Sequence, residues 1–439
     1  MISQTSFFTV PIQHPNQGEA TYVLFSTHCT RWFIANQSSL EIIQSIVQTG
    51  TPEQAALQIA QKYGISLEIA QQDTQNVWHQ VQQSGFLISQ TSSPQKIILD
   101  TLFIHITNAC NLHCPHCYAG SSAQNREFLP LSLLRKLFEE MQDLQGKKIT
   151  ITGGEPLLHP EIQGILTSAQ AVARTQMLTN GSLISEPIAD FLAKNNIGIQ
   201  ISLDGSTATA HDALRGHGSF AKVASAIEQL KTAGHQKRIS LCTTVHQATL
   251  QDLPNIVDLA QAWNVPLLRF LPIMKLGRSH SNWNTLDIPL EEQYPNPLIA
   301  HIQNSMPKMR FEYGISGLTF ESREGAEIWC PIGTMIVVAA NGDAYPCPMM
   351  MMSPWKLGNV HEHSLKELLT SRKMAEIIKI IEERPKKIEE CVTCDWRTLC
   401  QSGCLASSLN QYGTPWTQDC FCSYRKQFYP NMFSKLITF

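Results

Sequence analysis

Cys110, Cys114 and Cys117 stand in the run Cys110-Asn111-Leu112-His113-Cys114-Pro115-His116-Cys117, a C-x3-C-x2-C spacing. Three thiolates within eight residues can hold three irons of a cubane cluster. The fourth iron then has no local protein ligand. An electron-transfer [4Fe-4S] cluster uses four cysteines. An open corner instead points to chemistry at the metal, as an open position does in a catalytic zinc site. A zinc knuckle completed by His113 or His116 is the alternative for the same residues.

A second cysteine field lies near the other end. Cys330, Gly342 and Cys347 form C-x11-G-x4-C, and Cys391, Cys394, Cys400 and Cys404 form C-x2-C-x5-C-x3-C. Cys420 and Cys422 follow. Paired zinc ribbons are the alternative here, although the glycine and the extra cysteines fit cluster ligation better. Met349 to Met352 read as core or pocket lining beside Cys347. Cys29 and Cys242 lie outside both fields and read as small buried apolar residues.

Composition narrows the class. The chain has 439 residues, 13 cysteines, 43% apolar residues and a net charge of −3. That size suggests two to three domains at about 150 residues each. The near-neutral charge argues against a nucleic-acid binder. The N-terminus lacks a basic region followed by an apolar core, so no signal peptide is expected. With no run of eighteen apolar residues, no membrane span is expected, and the expected location is cytoplasmic. Without secretion, the tight cysteine spacings favour metal over disulfides.

The elements that must position these cysteines alternate. Strands are expected at 102–107, 148–152, 175–179, 197–203, 237–245 and 267–272. Helices are expected at 131–145, 161–173, 185–195, 219–233 and 252–263. Such alternation implies an α/β fold with a parallel sheet, and six units suggest a partial (β/α)6 barrel of the TIM type. Its chemistry would sit beyond the carboxyl ends of the strands. The cysteine triad follows the first strand. Gly153-Gly154-Glu155-Pro156 ends the second, Thr179-Asn180-Gly181 the third and Ser202-Leu203-Asp204-Gly205 the fourth. His211-Asp212, Arg215-Gly216 and Gly277-Arg278 add further polar signals.

The triad, His116 before its last cysteine and the Gly-Gly-Glu-Pro turn together resemble the radical S-adenosylmethionine superfamily over about residues 100–280. The resemblance implies a catalytic [4Fe-4S] cluster on Cys110, Cys114 and Cys117, with the amino and carboxylate groups of S-adenosyl-L-methionine on the open iron. It implies cofactor contacts from Gly153, Gly154, Glu155 and Asn180, with Ser202 and Asp204 toward ribose or carboxylate. Arg215 would pair with the carboxylate. Ser202 and Asp204 could instead only cap a helix or shape a turn, and Arg215 could be a salt-bridge partner.

Residues 328–424, including Leu357-Gly358-Asn359-Val360, resemble the SPASM extension of peptide-modifying radical enzymes. The resemblance implies two auxiliary iron-sulfur clusters. Cys391, Cys394, Cys400 and Cys422 would hold the outer one, and Cys330, Cys347 and Cys404 the inner one. Some relatives add an inner ligand six positions upstream of the first, where this chain has Glu324. An open iron, a carboxylate or Cys420 remain the choices for the fourth position.

Residues 1–95 read as a small winged helix-turn-helix plan, with short strands in 20–35 and 82–89 and helices at 38–48, 53–63 and 68–84. Arg31 and Lys62 face five carboxylates in this stretch, which is no phosphate-binding footprint. With Tyr22-Val23-Leu24-Phe25, the Asn36 turn and Gly85-Phe86-Leu87, it resembles the peptide-recognition element of ribosomal-peptide biosynthesis. Such elements bind a leader as an added strand. Three domains are therefore expected: 1–95 for recognition, 98–300 for the barrel and 301–439 for the auxiliary clusters. The expected activity is maturation of a ribosomal precursor peptide, most simply by an intrapeptide cross-link, fed by a donor such as flavodoxin or ferredoxin. Epimerisation with Cys420 or Cys242 as thiol, side-chain oxidation like that of anaerobic sulfatase maturases, and a zinc-stabilised peptide-binding regulator are the alternatives.

Overall fold

The computed structural model describes residues 7–12, 20–26, 32–84, 97–287, 309–313 and 330–436. Cys29, Glu324 and the Gly85-Phe86-Leu87 segment lie outside the described residues.

The chain opens with antiparallel strands β1 (Phe7–Ile12), β2 (Thr21–Ser26) and β3 (Trp32–Asn36) in that spatial order. Helices α1 (Gln37–Thr49), α2 (Pro52–Tyr63) and α3 (Leu67–Ser84) follow. Asn36 caps α1 by accepting the Ser39 N–H at 2.9 Å, and Thr51 caps α2, with Pro52 in its first turn. Gly50 and Gly64 end α1 and α2 in the left-handed conformation. Residues 82–84 complete α3 instead of opening a strand.

β2 is buried on both faces, and this was not expected. Alternation sends Leu24 to one side, against Leu40, Ile43, Ala56 and Val77 of the three helices. Val23 and Phe25 point to the other side, against Trp396, Leu399, Tyr429 and Phe433. Phe25 meets Trp396 edge-on at 5.8 Å, and Trp32 meets Phe433 at 5.1 Å. The N-terminal sheet is therefore seated on the C-terminal cysteine region.

The central sheet is built from β4 (Thr101–His105), β5 (Lys148–Thr152), β6 (Arg174–Thr179), β7 (Gly198–Ser202), β8 (Ile239–Val245) and β9 (Leu267–Pro272). Each pairs in parallel with its successor. Connecting helices are α4 (Leu131–Asp143), α5 (Ile162–Val172), α6 (Glu186–Lys194), α7 (Ala208–Arg215), α8 (Ser219–Thr232) and α9 (Leu253–Ala262). Ile104, Ile151, Met177, Ile201, Leu241 and Phe270 are fully buried between the layers.

Three features go beyond the sequence expectation. α7 occupies a stretch read only as polar signals; Thr207 caps it and Gly216 ends it. β10 (Arg310–Tyr313) pairs in parallel with β9, carrying the sheet past residue 300. β11 (Met335–Val338) lies parallel to β4, followed by antiparallel β12 (Asp343–Tyr345) and β13 (Gly358–Asn359). The C-terminal cysteine region thus continues the same ten-stranded sheet, which runs β10-β9-β8-β7-β6-β5-β4-β11-β12-β13.

Candidate active site

The triad lies on the loop that leaves the carboxyl end of β4, and this loop is fixed by its backbone. Cys110 N–H donates to Ser122 O at 3.1 Å, and Ala109 N–H to Thr107 Oγ1 at 3.0 Å. Arg278, from the segment after β9, clamps it. Its N–H reaches Cys117 O at 2.9 Å, its Nε reaches Cys114 O at 3.0 Å and its Nη1 reaches Ser121 O at 2.5 Å. Gly277 makes this approach possible. It has φ +58°, and a Cβ there would lie 2.3 Å from Tyr118 O. The Leu112 N–H points at Cys110 Sγ at 3.5 Å. Burial pushes the Cys110 thiol up to about 11, with Glu155, Cys114 and Cys117 adding to the effect.

The Gly-Gly-Glu-Pro turn packs onto the same loop. Gly154 N–H donates to Thr107 O and Glu155 N–H to Ala109 O, each at 2.8 Å. A Cβ on Gly153 would lie 2.3 Å from Thr107 O, and one on Gly154 2.2 Å from Ala109 O. Only glycine tolerates that approach. Glu155 is fully buried and accepts Leu157 N–H at 3.1 Å, Thr179 Oγ1 at 2.8 Å and Asn180 N–H at 2.8 Å. Burial pushes its carboxyl up to about 7, against the pull of these three donors. Asn180 Nδ2 donates to Asn111 Oδ1 at 3.0 Å, tying the third strand's turn to the cysteine loop.

Asp204 and Arg215 meet each other. Arg215 Nε donates to Asp204 Oδ2 at 2.6 Å, His116 Nε2 lies 3.0 Å from the same oxygen, and Thr244 N–H donates to Oδ1 at 2.9 Å. Burial raises the Asp204 carboxyl, but Arg215 and His116 together hold it well below the usual range. Ser202 closes β7 in register with Cys242 of β8. Burial pushes the Cys242 thiol up to about 12.

Sequence reasoning singled out His116 and His211 here but passed over His105, Tyr118 and His246. His246 lies 5.2 Å ring to ring from His116. His211 Nδ1 accepts the Asp204 N–H at 3.2 Å. His105 Nε2 lies 3.3 Å from the hydroxyl of Tyr118, which stays 38% exposed beside Cys117. Burial lowers His105, His211 and His246 to about 4. His105 Nδ1, His116 Nδ1, His211 Nε2 and His246 Nε2 are buried without a hydrogen-bond partner among the described residues. The advance signal for His105 and His246 was a histidine at or just past a strand end.

The C-terminal cysteines separate into two sets. Cys347, raised well above the ordinary range by burial, feels Cys404 and Cys330 as neighbouring charges. Burial pushes Cys400 up to about 11, with Cys422 and Cys391 among its neighbours. Cys422, raised by burial, feels Cys391 and Cys394. Backbone N–H groups point at the inner sulfurs: Ile332 at Cys330, Met349 at Cys347 at 3.5 Å, and Ser407 with Ala406 at Cys404. Asp419 Oδ2 accepts the Cys404 N–H at 2.8 Å and pairs with Arg425 Nη2 at 2.7 Å.

N–H groups aimed at sulfur favour the thiolate and tune iron-sulfur ligands. The donor set therefore fits clusters. Among the described residues, no three His, Cys, Asp or Glu side chains converge to hold a single metal ion. His113 is exposed, and His116 faces Asp204. A cubane spreads its ligands over separate irons and needs no such convergence.

The Radical SAM superfamily model matches residues 104–260, and an iron-sulfur cluster-binding domain model, SPASM, matches residues 330–395. Together they define the class: a radical S-adenosylmethionine enzyme with a SPASM extension, dependent on a [4Fe-4S] cluster, auxiliary clusters and S-adenosylmethionine. The mycofactocin maturase MftC of Mycobacterium ulcerans is 28% identical over 310 residues, covering 69% of this chain and 82% of its own. The cysteine-type anaerobic sulfatase-maturating enzyme of Clostridium perfringens is 25% identical over 381 residues, covering 77% and 97%. Two solved structures share the fold. One is anSMEcpe with bound AdoMet, with TM-score 0.63 and 20% identity over 77% of this chain and 98% of that one. The other is Streptococcus suis SuiB bound to precursor peptide SuiA, with TM-score 0.61 and 15% identity over 91% and 96%. Among the described residues, no helix is long and apolar enough to cross a membrane.

Proposed function

We propose that this chain matures a ribosomally made precursor peptide by radical chemistry, with a cross-link within the peptide as the product. The observation that carries the reading is the sorting of ten cysteines into a triad past the end of β4 and two C-terminal sets, the outer of which packs beside the seated N-terminal module. When bound, the cluster and S-adenosylmethionine supply a 5′-deoxyadenosyl radical that removes hydrogen from the peptide.

Cys110, Cys114 and Cys117 would hold the catalytic cluster. The N–H groups of Gly154 and Glu155 already donate to Thr107 and Ala109, so the turn offers carbonyls to the cofactor's amino group. Glu155 and Asn180 keep that turn and the cysteine loop in one register. Arg215 is balanced by Asp204, so its role is to hold the floor of the site beside His116. Ser202 and the free ring nitrogens of His116 and His246 remain to meet polar cofactor atoms. Cys391, Cys394, Cys400 and Cys422 would hold the outer cluster, and Cys330, Cys347 and Cys404 the inner one.

The finer architecture belongs to the same reading. The six parallel units form a partial barrel over 98–300, 301–439 is the auxiliary-cluster domain, and 1–95 is a winged recognition module that takes the leader as an added strand. A small protein such as flavodoxin or ferredoxin supplies electrons in the cytoplasm.

The test is mass spectrometry of a short peptide encoded beside this gene, incubated anaerobically with reconstituted enzyme, S-adenosylmethionine and a reductant. Loss of two hydrogens supports cross-linking. An unchanged peptide, with 5′-deoxyadenosine formed normally, would overturn the peptide reading. Epimerisation is a second reading, favoured by Cys242: its protonated thiol beside the site retains a hydrogen to return. Deuterium uptake from heavy water without loss of mass marks that outcome.

A further inference from the structure

The inner set has three cysteines, and a cubane has four irons. We propose that Cys420 supplies the fourth thiolate of the inner auxiliary cluster. The proposal rests on the reading that Cys330, Cys347 and Cys404 hold a cluster.

One residue connects the two sulfurs. Ser407 is 1% exposed; its backbone N–H points at Cys404, and its hydroxyl lies 2.9 Å from Cys420 Sγ. Cys420 lies near enough to Cys404 for the two sulfurs to act on each other as neighbouring charges. Cys422, two residues later, faces Cys391 and Cys394 instead. The turn between them explains the split. Asp419 Oδ1 accepts the Phe421 N–H at 3.2 Å, Phe421 is buried in the core, and a helix begins at Cys422. Cys420 and Cys422 thereby serve different sets.

Cys420 also lines a cleft with Met274, Lys275, Trp283, Asp287 and Asn410, between the segment after β9 and the helix Leu405–Tyr412. The cluster corner it holds is thus the one facing that cleft. On binding, the Cys420 S–H loses its proton to solvent as the S–Fe bond forms. With four thiolates in place, no iron of this cluster is left for a donor group of the peptide.

The experiment uses full-length protein reconstituted anaerobically with iron and sulfide, read by iron content and by EPR of the reduced clusters. Cys330→Ala, Cys420→Ala and Cys420→Ser are compared with wild type. We expect Cys330→Ala and Cys420→Ala each to lose one cluster signal, or convert it to a three-iron signal, with up to about four irons lost per chain. Cys420→Ser, which can bind through oxygen, should keep the iron and shift that signal. A wild-type iron content and spectrum in Cys420→Ala, with a cluster lost in Cys330→Ala, overturns the proposal alone. Wild-type spectra in both variants overturn the inner cluster itself. If Cys420→Ala fails to fold by circular dichroism, Ser407→Ala decides, because it keeps both sulfurs. One cluster should move to a more negative potential, and an unchanged set of potentials counts against the proposal.

Discussion

Arg215 Nε donates to Asp204 Oδ2 across 2.6 Å, and the Asp204 side chain has no solvent exposure. Two residues expected to reach for the cofactor therefore neutralise each other. Removing one partner of a buried pair leaves an uncompensated charge, at a cost of about 3–5 kcal/mol. Arg215→Leu should destabilise the protein by that amount in urea melts. The double variant Arg215→Leu/Asp204→Asn should recover most of it. A loss in the double variant as large as in Arg215→Leu would show that the cost does not come from an uncompensated Asp204 charge.

The buried histidines set an acid limit. His105, His211 and His246 are lowered by burial to about 4, against an ordinary value of 6.5. Between these values the unfolded chain binds protons that the folded chain refuses. The stability they leave intact above pH 6.5 is therefore lost as pH falls toward 4. At most three protons are involved, or roughly 4 kcal/mol per pH unit. Glu155, raised by burial to about 7, acts with the opposite sign and offsets part of the loss above pH 4.5. Urea melts at pH 7 and pH 5 should show the fall, and replacing the three histidines with glutamine should flatten it.

The Gly-Gly-Glu-Pro turn tolerates no side chain. Gly154→Ala would place a Cβ 2.2 Å from Ala109 O. The turn must then pull away from the cysteine loop. S-adenosylmethionine binding by calorimetry should weaken at least tenfold, or about 1.4 kcal/mol.

The N-terminal module is held to the cluster region by rings. Phe25 packs edge-on to Phe433 at 5.9 Å, and Phe433 stacks on Trp396 at 5.7 Å. Phe25→Ala should cost about 3–5 kcal/mol of that packing. Trypsin should then release the module faster. Peptide turnover should fall, while peptide-independent cleavage of S-adenosylmethionine stays near wild type.

Much of this was legible in the chain. The six core strands begin and end within two residues of the runs that mark them, because each carries buried apolar residues, such as Ile149 and Ile151 or Ile199 and Ile201, between polar ones. The triad and the Gly-Gly-Glu-Pro turn were legible because each follows such a run. The pairing of β11 with β4 was not, since four residues inside the second cysteine field, between Cys330 and Cys347, carry no mark of their partner. Nor was the meeting of Phe25 with Phe433, which spans nearly the whole chain. Arg278 stood out only as a polar signal past the sixth strand; the folded path brings it over Cys114 and Ser121. The Asp204–Arg215 pair depended on α7, a helix too short to show a clear period.

The central claim is that Cys110, Cys114 and Cys117 hold the cluster that cleaves S-adenosylmethionine. The direct measurement is 5′-deoxyadenosine formation by the triple alanine variant, reduced anaerobically and quantified by chromatography. Formation should vanish, while the auxiliary-cluster absorbance, about two-thirds of the wild-type signal, remains. Cleavage at a wild-type rate in that variant would contradict the account.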